Sequence, residues 1–170
     1  LRYATNVNEL ADVVYGVGMS LYSAGTMIPP GMLGHNPDIE PYEYNPEKAK
    51  QLLAEAGYPN GFDLEFVYNG NSNENNTFVQ LLKEYWAKAG VNLVLSPTDS
   101  AKLNTYLNEG SYDVSLCNAS TNPAEAGYML GYYYSTAKHG SGNRTWISDE
   151  RLDNLISQLE STSDPEERQS

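Results

Sequence analysis

The sequence predicts an α/β fold, a three-layer lobe built on a parallel-strand β-α-β-α-β core. Three observations predict it. Three runs of β-forming or small residues, Phe62–Tyr68, Val91–Ser96 and Tyr112–Cys117, alternate with stretches of helical periodicity. The connections between those runs are long enough for helical crossovers, which implies parallel pairing. Gly57, Gly90 and Gly110 follow the helical runs, where a left-handed residue closes a helix.

Taken in order, Asn6 to Tyr15 reads as a short helix, with Leu10, Val13 and Val14 at helical spacing. Residues 16–42 are rich in Gly and Pro and read as an ordered covering loop or a crossing. Asn45-Pro46-Glu47 opens the best-marked helix: Asn45 caps, Pro46 suits the first position and Glu47 complements the dipole. Ala49, Leu52, Leu53 and Ala56 form its apolar stripe, and Gly57 ends it. Phe62, Leu64, Phe66 and Tyr68 alternate with Asp63, Glu65 and Val67, the pattern of a strand with one buried face. Asn69–Asn76 reads as a loop. Thr77–Ala89 is a helix with Phe78, Leu81, Leu82, Tyr85 and Trp86 on one side. Val91–Ser96 is a strand that Pro97 ends. Ala101–Asn108 is a helix carried by Leu103, Tyr106 and Leu107. After the third strand, Tyr112–Cys117, comes the polar loop Asn118-Ala119-Ser120-Thr121-Asn122-Pro123. A helix follows over Glu125–Tyr134, then a turn at His139–Gly142. The last full helix, capped by Ser148, carries Leu152, Leu155, Ile156 and Leu159. Asp164-Pro165-Glu166-Glu167 looks like the start of a further helix, so the chain is expected to be a piece of a longer protein.

Composition narrows the function. The 170 residues fit a single domain spanning 1–170, and 40% hydrophobic against 19% charged content reads as globular. A formal net charge of −12 argues against nucleic acid, whose partners carry a basic stripe, and against an anionic membrane surface. No apolar run approaches a membrane span. The lone cysteine, Cys117, permits no intramolecular disulfide and no cysteine metal site. His35 and His139 lie in Gly-rich loops without ligand-like neighbours and are expected to be solvated. No metal and no cofactor is expected.

No nucleophile elbow, phosphate-binding Gly-Lys loop or His-Glu-x-x-His pattern is present. Asp63, Asp99, Asp113 and Glu125 are carboxylates that no pattern ranks as a pair. The chemistry on offer is that of binding. In open α/β sheets ligands sit beyond the carboxyl ends of the strands, and Asn118–Asn122 is an uncharged hydrogen-bonding loop at such an end. The 14 tyrosines supply flat contact area with a polar tip. Tyr132-Tyr133-Tyr134 cannot all face one core. Arg144, in the Gly-flanked Asn143-Arg144-Thr145 loop, is either a carboxylate clamp or a structural donor. That tripeptide also fits the glycosylation sequon, as do Asn75-Asn76-Thr77 and Asn118-Ala119-Ser120, a pattern too short to carry weight.

Several stretches resemble one family, the extracytoplasmic solute-binding proteins of peptide/nickel-type ABC transporters (bacterial solute-binding protein family 5). The most specific is Tyr44 to Phe62, YNPEKAKQLLAEAGYPNGF. Leu1-Arg2-Tyr3-Ala4, Asn8-Glu9-Leu10, Ile28-Pro29-Pro30, Gly110-Ser111-Tyr112-Asp113-Val114, Gly142-Asn143-Arg144-Thr145, Leu152–Ile156 and Asp164–Arg168 follow in the family's order. The resemblance implies a periplasmic-binding-protein type II-like fold with two lobes closing on a ligand. This chain would be most of the C-terminal lobe, with the N-terminal lobe and the returning tail absent. It implies a non-enzymatic protein that captures an oligopeptide or similar polar solute and delivers it to the ABC permease. The protein would be a monomer, periplasmic or extracellular, and a membrane-anchored lipoprotein if from a Gram-positive bacterium. A ligand-presenting sensory or structural module, or a lobe of an enzyme, are the alternatives. By the resemblance, the loop after the third strand pairs with the ligand backbone, so Asn118, Ala119, Ser120, Thr121 and Asn122 are ligand-facing; Arg144 and Tyr128, read from their own chemistry, complete the expected site. Ala119 stands where many members have Trp, and Asn122 near where they have the Asp that holds a peptide's amino terminus. The neutral Asn122 holds an ammonium less strongly than a carboxylate does.

Overall fold

Local signals place most elements. The computed structural model describes residues 1–17, 28, 30–40, 42–116, 126–164 and 166–167. Its helices are α1 (Val7–Tyr15), α2 (Pro46–Glu55), α3 (Asn73–Lys88), α4 (Ser100–Glu109), α5 (Ala126–Tyr134) and α6 (Glu150–Ser161). Its strands are β1 (Phe62–Asn69), β2 (Val91–Thr98) and β3 (Val114–Ser115). The strands form one parallel sheet in the order β2-β1-β3, the predicted core. The chain divides into two compact units. One gathers the described residues of 1–25, 41–103 and 112–117, the other those of 26–40, 104–111 and 118–170.

In the first unit, Asn6 caps α1 by accepting from Glu9 N, and Asn45 caps α2 by accepting from Lys48 N. Phe62, Leu64 and Phe66 pair with Val91, Leu93 and Leu95, so one face of the sheet is apolar from edge to centre. α3 packs Val79, Leu82, Tyr85 and Trp86 into the same core as Phe66, Val91 and Leu93. Phe66, Val79, Val91 and Leu93 are fully buried, each stabilising by about 1.5–3 kcal/mol relative to exposure. Val67, on the opposite face of the central strand, is also buried. Of the stripe expected on α2, Ala49 is buried and Leu53 half-buried, but Leu52 and Ala56 are exposed.

Three boundaries differ from the sequence reading. α3 begins at Asn73, inside the expected loop, because Ser72 caps it by accepting from Asn75 N. The Asn75 and Asn76 side chains then donate back to the Asn69 and Gly70 carbonyls, at 3.1 and 3.0 Å. β2 runs through Pro97 to Thr98; it is an edge strand of the sheet, where a missing N–H is tolerated. β3 is short: only Val114 and Ser115 pair, with Phe66 and Val67. Cys117 lies outside the described residues.

In the second unit, α5 and α6 pack together, and a Cβ at Gly131 would lie 3.6 Å from Ile156 Cγ2. Ile156 is buried, whereas Leu155 is 51% exposed and leaves the expected stripe. The cap of α6 is Asp149 rather than Ser148: Asp149 Oδ1 accepts from Leu152 N at 3.0 Å. Ile28 and Met129 form a small core with Met32, Leu130 and Tyr133. Asp164 Oδ1 accepts from Glu166 N and Glu167 N, the pattern of a helix cap at the expected helix start.

Candidate ligand-binding site

The strands end together at Asn69, Thr98 and Ser115, the side of a parallel sheet where ligands bind. The asparagines at this end are engaged in the turn itself. Asn69 Nδ2 donates to Ser100 Oγ at 2.9 Å, Asn69 Oδ1 accepts from Asn71 N, and Gly70 N donates to Thr98 O. Asn118, Ala119, Ser120, Thr121 and Asn122, the loop expected to face ligand, lie outside the described residues.

The other two expected ligand residues are described. Tyr128 on α5 is 46% exposed, and its ring stacks on Tyr132 at 6.0 Å with the planes 2° apart. Tyr132 in turn meets Tyr133 edge-on at 5.0 Å. Of the three consecutive tyrosines, Tyr133 packs on the Ile28–Met129 core and Tyr132 reaches solvent, as the sequence reading required. Arg144 is half-buried in the loop after α5. That loop lies against the same helix: a Cβ at Gly142 would collide with the Tyr132 carbonyl and stand 3.0 Å from its ring. Tyr128, Tyr132 and the Arg144 loop therefore form one continuous structure within the second unit.

The loop that carries Arg144 is tied together by the side chain before it. Asn143 is fully buried. Its Nδ2 donates to the carbonyls of Tyr134, Ser135 and Ile147, each at 3.1 Å. Its Oδ1 accepts from Thr145 N at 3.1 Å, Thr145 Oγ1 at 2.8 Å and Trp146 N at 3.1 Å. Three acceptors meet two N–H groups, so at least one hydrogen is shared. Trp146 takes φ +57°, the one left-handed non-glycine among the described residues. Its indole Nε1 donates to Leu107 O at 3.2 Å, and its ring lies where a Cβ at Gly110 would be, 2.8 Å from Cε2. The sequence reading passed over both residues. The signal for Asn143 is its place in a Gly-flanked turn beside Arg144.

Neither histidine is free in solvent, contrary to expectation. His35 Nδ1 pairs with Ile28 O at 2.7 Å; His139 Nε2 pairs with Ile147 O at 2.8 Å and its ring packs against Trp146 at 5.1 Å. Both close loops. The carboxylates are likewise structural. Asp63 accepts from Asn92 Nδ2, Asp99 from Lys102 N and Asp113 from Glu65 N; Glu125 lies outside the described residues. Asp153 is held below the usual carboxylate range by hydrogen bonds from the side chain and backbone of Thr136. Among the described residues no group of His, Cys, Asp or Glu could hold a metal ion, and no helix is long and apolar enough to cross a membrane. The arrangement offers hydrogen bonds, a cation and stacked rings, the means to bind a solute.

A family model described as bacterial extracellular solute-binding proteins, family 5, middle region, matches residues 1–141. The chain belongs to this family. Heme-binding protein A of Haemophilus influenzae is 30% identical over 173 residues, covering 99% of this chain and 31% of that protein. The dipeptide-binding protein of Escherichia coli is 38% identical over 114 residues, 62% of this chain and 19% of the relative. Among solved structures, HbpA2 from Haemophilus parasuis superposes with a TM-score of 0.90 at 29% identity, covering 99% of this chain and 34% of that one. DppA from Helicobacter pylori, in complex with the peptide STSA, has the same fold, with a TM-score of 0.88 at 23% identity over 99% of this chain and 33% of that one. The fold is thus that of the type II-like periplasmic binding proteins. Family 5 proteins are binding components rather than enzymes, and are periplasmic or extracellular. The chain spans about a third or less of the length of these relatives.

Proposed function

We propose that the whole protein is the substrate-binding component of an ABC importer, taking an oligopeptide or similar polar solute between two lobes. On this reading residues 1–170 make most of the C-terminal lobe, and the remaining lobe and tail belong to the longer protein. The observation that carries it is the family match over residues 1–141, joined to relatives named for dipeptides and for di- and tripeptides. Ligand contacts made only in the closed state shift the population toward closure, and the closed form docks the permease. The protein works as a monomer outside the cytoplasm, lipid-anchored if its source is Gram-positive. Asn118, Ala119, Ser120, Thr121, Asn122, Tyr128 and Arg144 face the ligand. Arg144 clamps a carboxylate, and Ala119 leaves room for a bulkier group.

A thermal-shift screen of the full-length protein against di- to hexapeptides, glutathione, nickel chelates and oligosaccharides tests this. A ligand at a hundredfold excess over Kd stabilises by about 2.7 kcal/mol. Shifts with peptides support the reading. Shifts with sugars or chelates alone keep the transporter and move the ligand class. No shift with any of them overturns it.

A further inference from the structure

We propose that Asn143 is a positioning residue for the ligand site: it fixes the loop 139–147 so that Arg144 is presented in one geometry before ligand arrives. The inference rests on the reading that Arg144 faces the ligand. Its own support is the amide's surroundings. A turn residue needs one or two side-chain contacts to close a turn. Asn143 makes six, to five residues on both sides of Arg144. The contacts to Tyr134 and Ser135 tie the loop to the end of α5, the helix bearing Tyr128 and Tyr132. The contacts to Thr145 and Trp146 wrap the backbone around Arg144 from its carboxyl side. Ile147 O, bound by Asn143 Nδ2, is also bound by His139 Nε2, so both ends of the loop converge on one carbonyl.

The strain at Trp146 points the same way. A left-handed non-glycine backbone costs about 1–2 kcal/mol and persists only where its surroundings over-determine it. Asn143 Oδ1 takes the Trp146 N–H from one side. From the other, Leu107 O takes the indole N–H and the ring sits over Gly110, and a Cβ at Gly140 would come within 4.0 Å of Cη2. A loop serving only as a connection from α5 to α6 has no need of this much fixing. A cation that must meet a carboxylate in bidentate geometry does, because a preordered side chain loses less freedom on binding. The same burial makes Asn143 a poor glycan acceptor in the folded protein, despite its sequon.

Binding of trialanine and of its C-terminal amide to the full-length protein, by calorimetry, tests the proposal as a double-mutant cycle. Arg144→Ala reports on the reading itself. It weakens the free-carboxylate peptide and leaves the amide unchanged; no change with either peptide, or no binding of either by the unsubstituted protein, overturns the reading and the proposal with it. Asn143→Ser and the milder Thr145→Val, which removes one hydroxyl from the network at nearly constant shape, report on positioning. Each weakens trialanine about three- to tenfold when Arg144 is present and not at all in the Arg144→Ala background, the coupling expected of groups in one network. Equal losses in both backgrounds, or unchanged binding while hydrogen exchange of the 139–147 peptide accelerates, overturn positioning and leave the Arg144 reading standing. Thr145→Val keeps the test decisive if Asn143→Ser does not fold.

Discussion

Gly61 and Gly57 stand four residues apart at the α2–β1 turn, both left-handed, at φ +74° and +96°. Alanine at either forces an L-residue into that region, at about 1 kcal/mol or somewhat more. At Gly57 nothing lies within 4 Å of a new Cβ, so the conformational cost is the whole cost. At Gly61 the Cβ would run into the carbonyl oxygen of Gly90, with Gly90 Cα at 3.2 Å. The obstacle is backbone, and that backbone opens β2 opposite the first rung of the sheet, Phe62 against Val91. Relief means moving one of the two strands, which places Gly61→Ala at roughly 3 kcal/mol or more, in the range of backbone and overpacking defects. The converse is not true. A Cβ at Gly90 points past Gly61 and meets its Cα at an ordinary 3.6 Å, so Gly90→Ala groups with Gly57→Ala. Equilibrium urea unfolding of the three variants, followed by circular dichroism, measures this. A Gly61→Ala loss within about 0.5 kcal/mol of the other two, the usual scatter of neutral substitutions, refutes the close approach of the two turns.

Two further predictions concern the second unit. Asp149→Ala removes the cap of α6 and costs about 1 kcal/mol, whereas Ser148→Ala leaves stability unchanged; urea midpoints of the pair decide between the two caps. Asp153, held below its ordinary value of 3.8 by the hydrogen bonds from Thr136, stabilises the fold above that pH and loses its contribution as pH falls through the depressed value. The stability gap between the unsubstituted protein and Asp153→Asn is therefore full at neutral pH and closes below about pH 4; a gap that stays constant down to pH 2.5 in acid titration of both contradicts the assignment.

Elements specified by near neighbours in sequence were legible. Asn45 caps as read, because a cap needs only a side-chain oxygen and an N–H three residues on. The alternation in Phe62–Tyr68 placed β1 because side-chain period and sheet face are the same fact. Legibility failed where a distant partner decides. Pro97 reads as a terminator unless β2 is known to be an edge. Leu155 and Ile156 are equally apolar, and only the position of α5 says which is buried. Ser148 and Asp149 are both good caps, and a one-residue shift in the entry to α6 chooses between them. The site shows the same divide: Arg144 stands out by its charge and its glycines, but the amide that ties its loop together does not, since three of that amide's partners are four to nine residues away.

The asparagines make the physical reason explicit. Asn69, Asn75, Asn76 and Asn143 all read as loop residues, and all four turn their amides onto this chain's own groups. An amide whose donors and acceptor are already saturated offers a solute little, because binding must first break what is there. The amides so engaged set the backbone around them instead. This is why a neutral, buried Asn143 is a sharper target for substitution than any exposed asparagine of the fold, and why its effect should be read through Arg144 rather than alone.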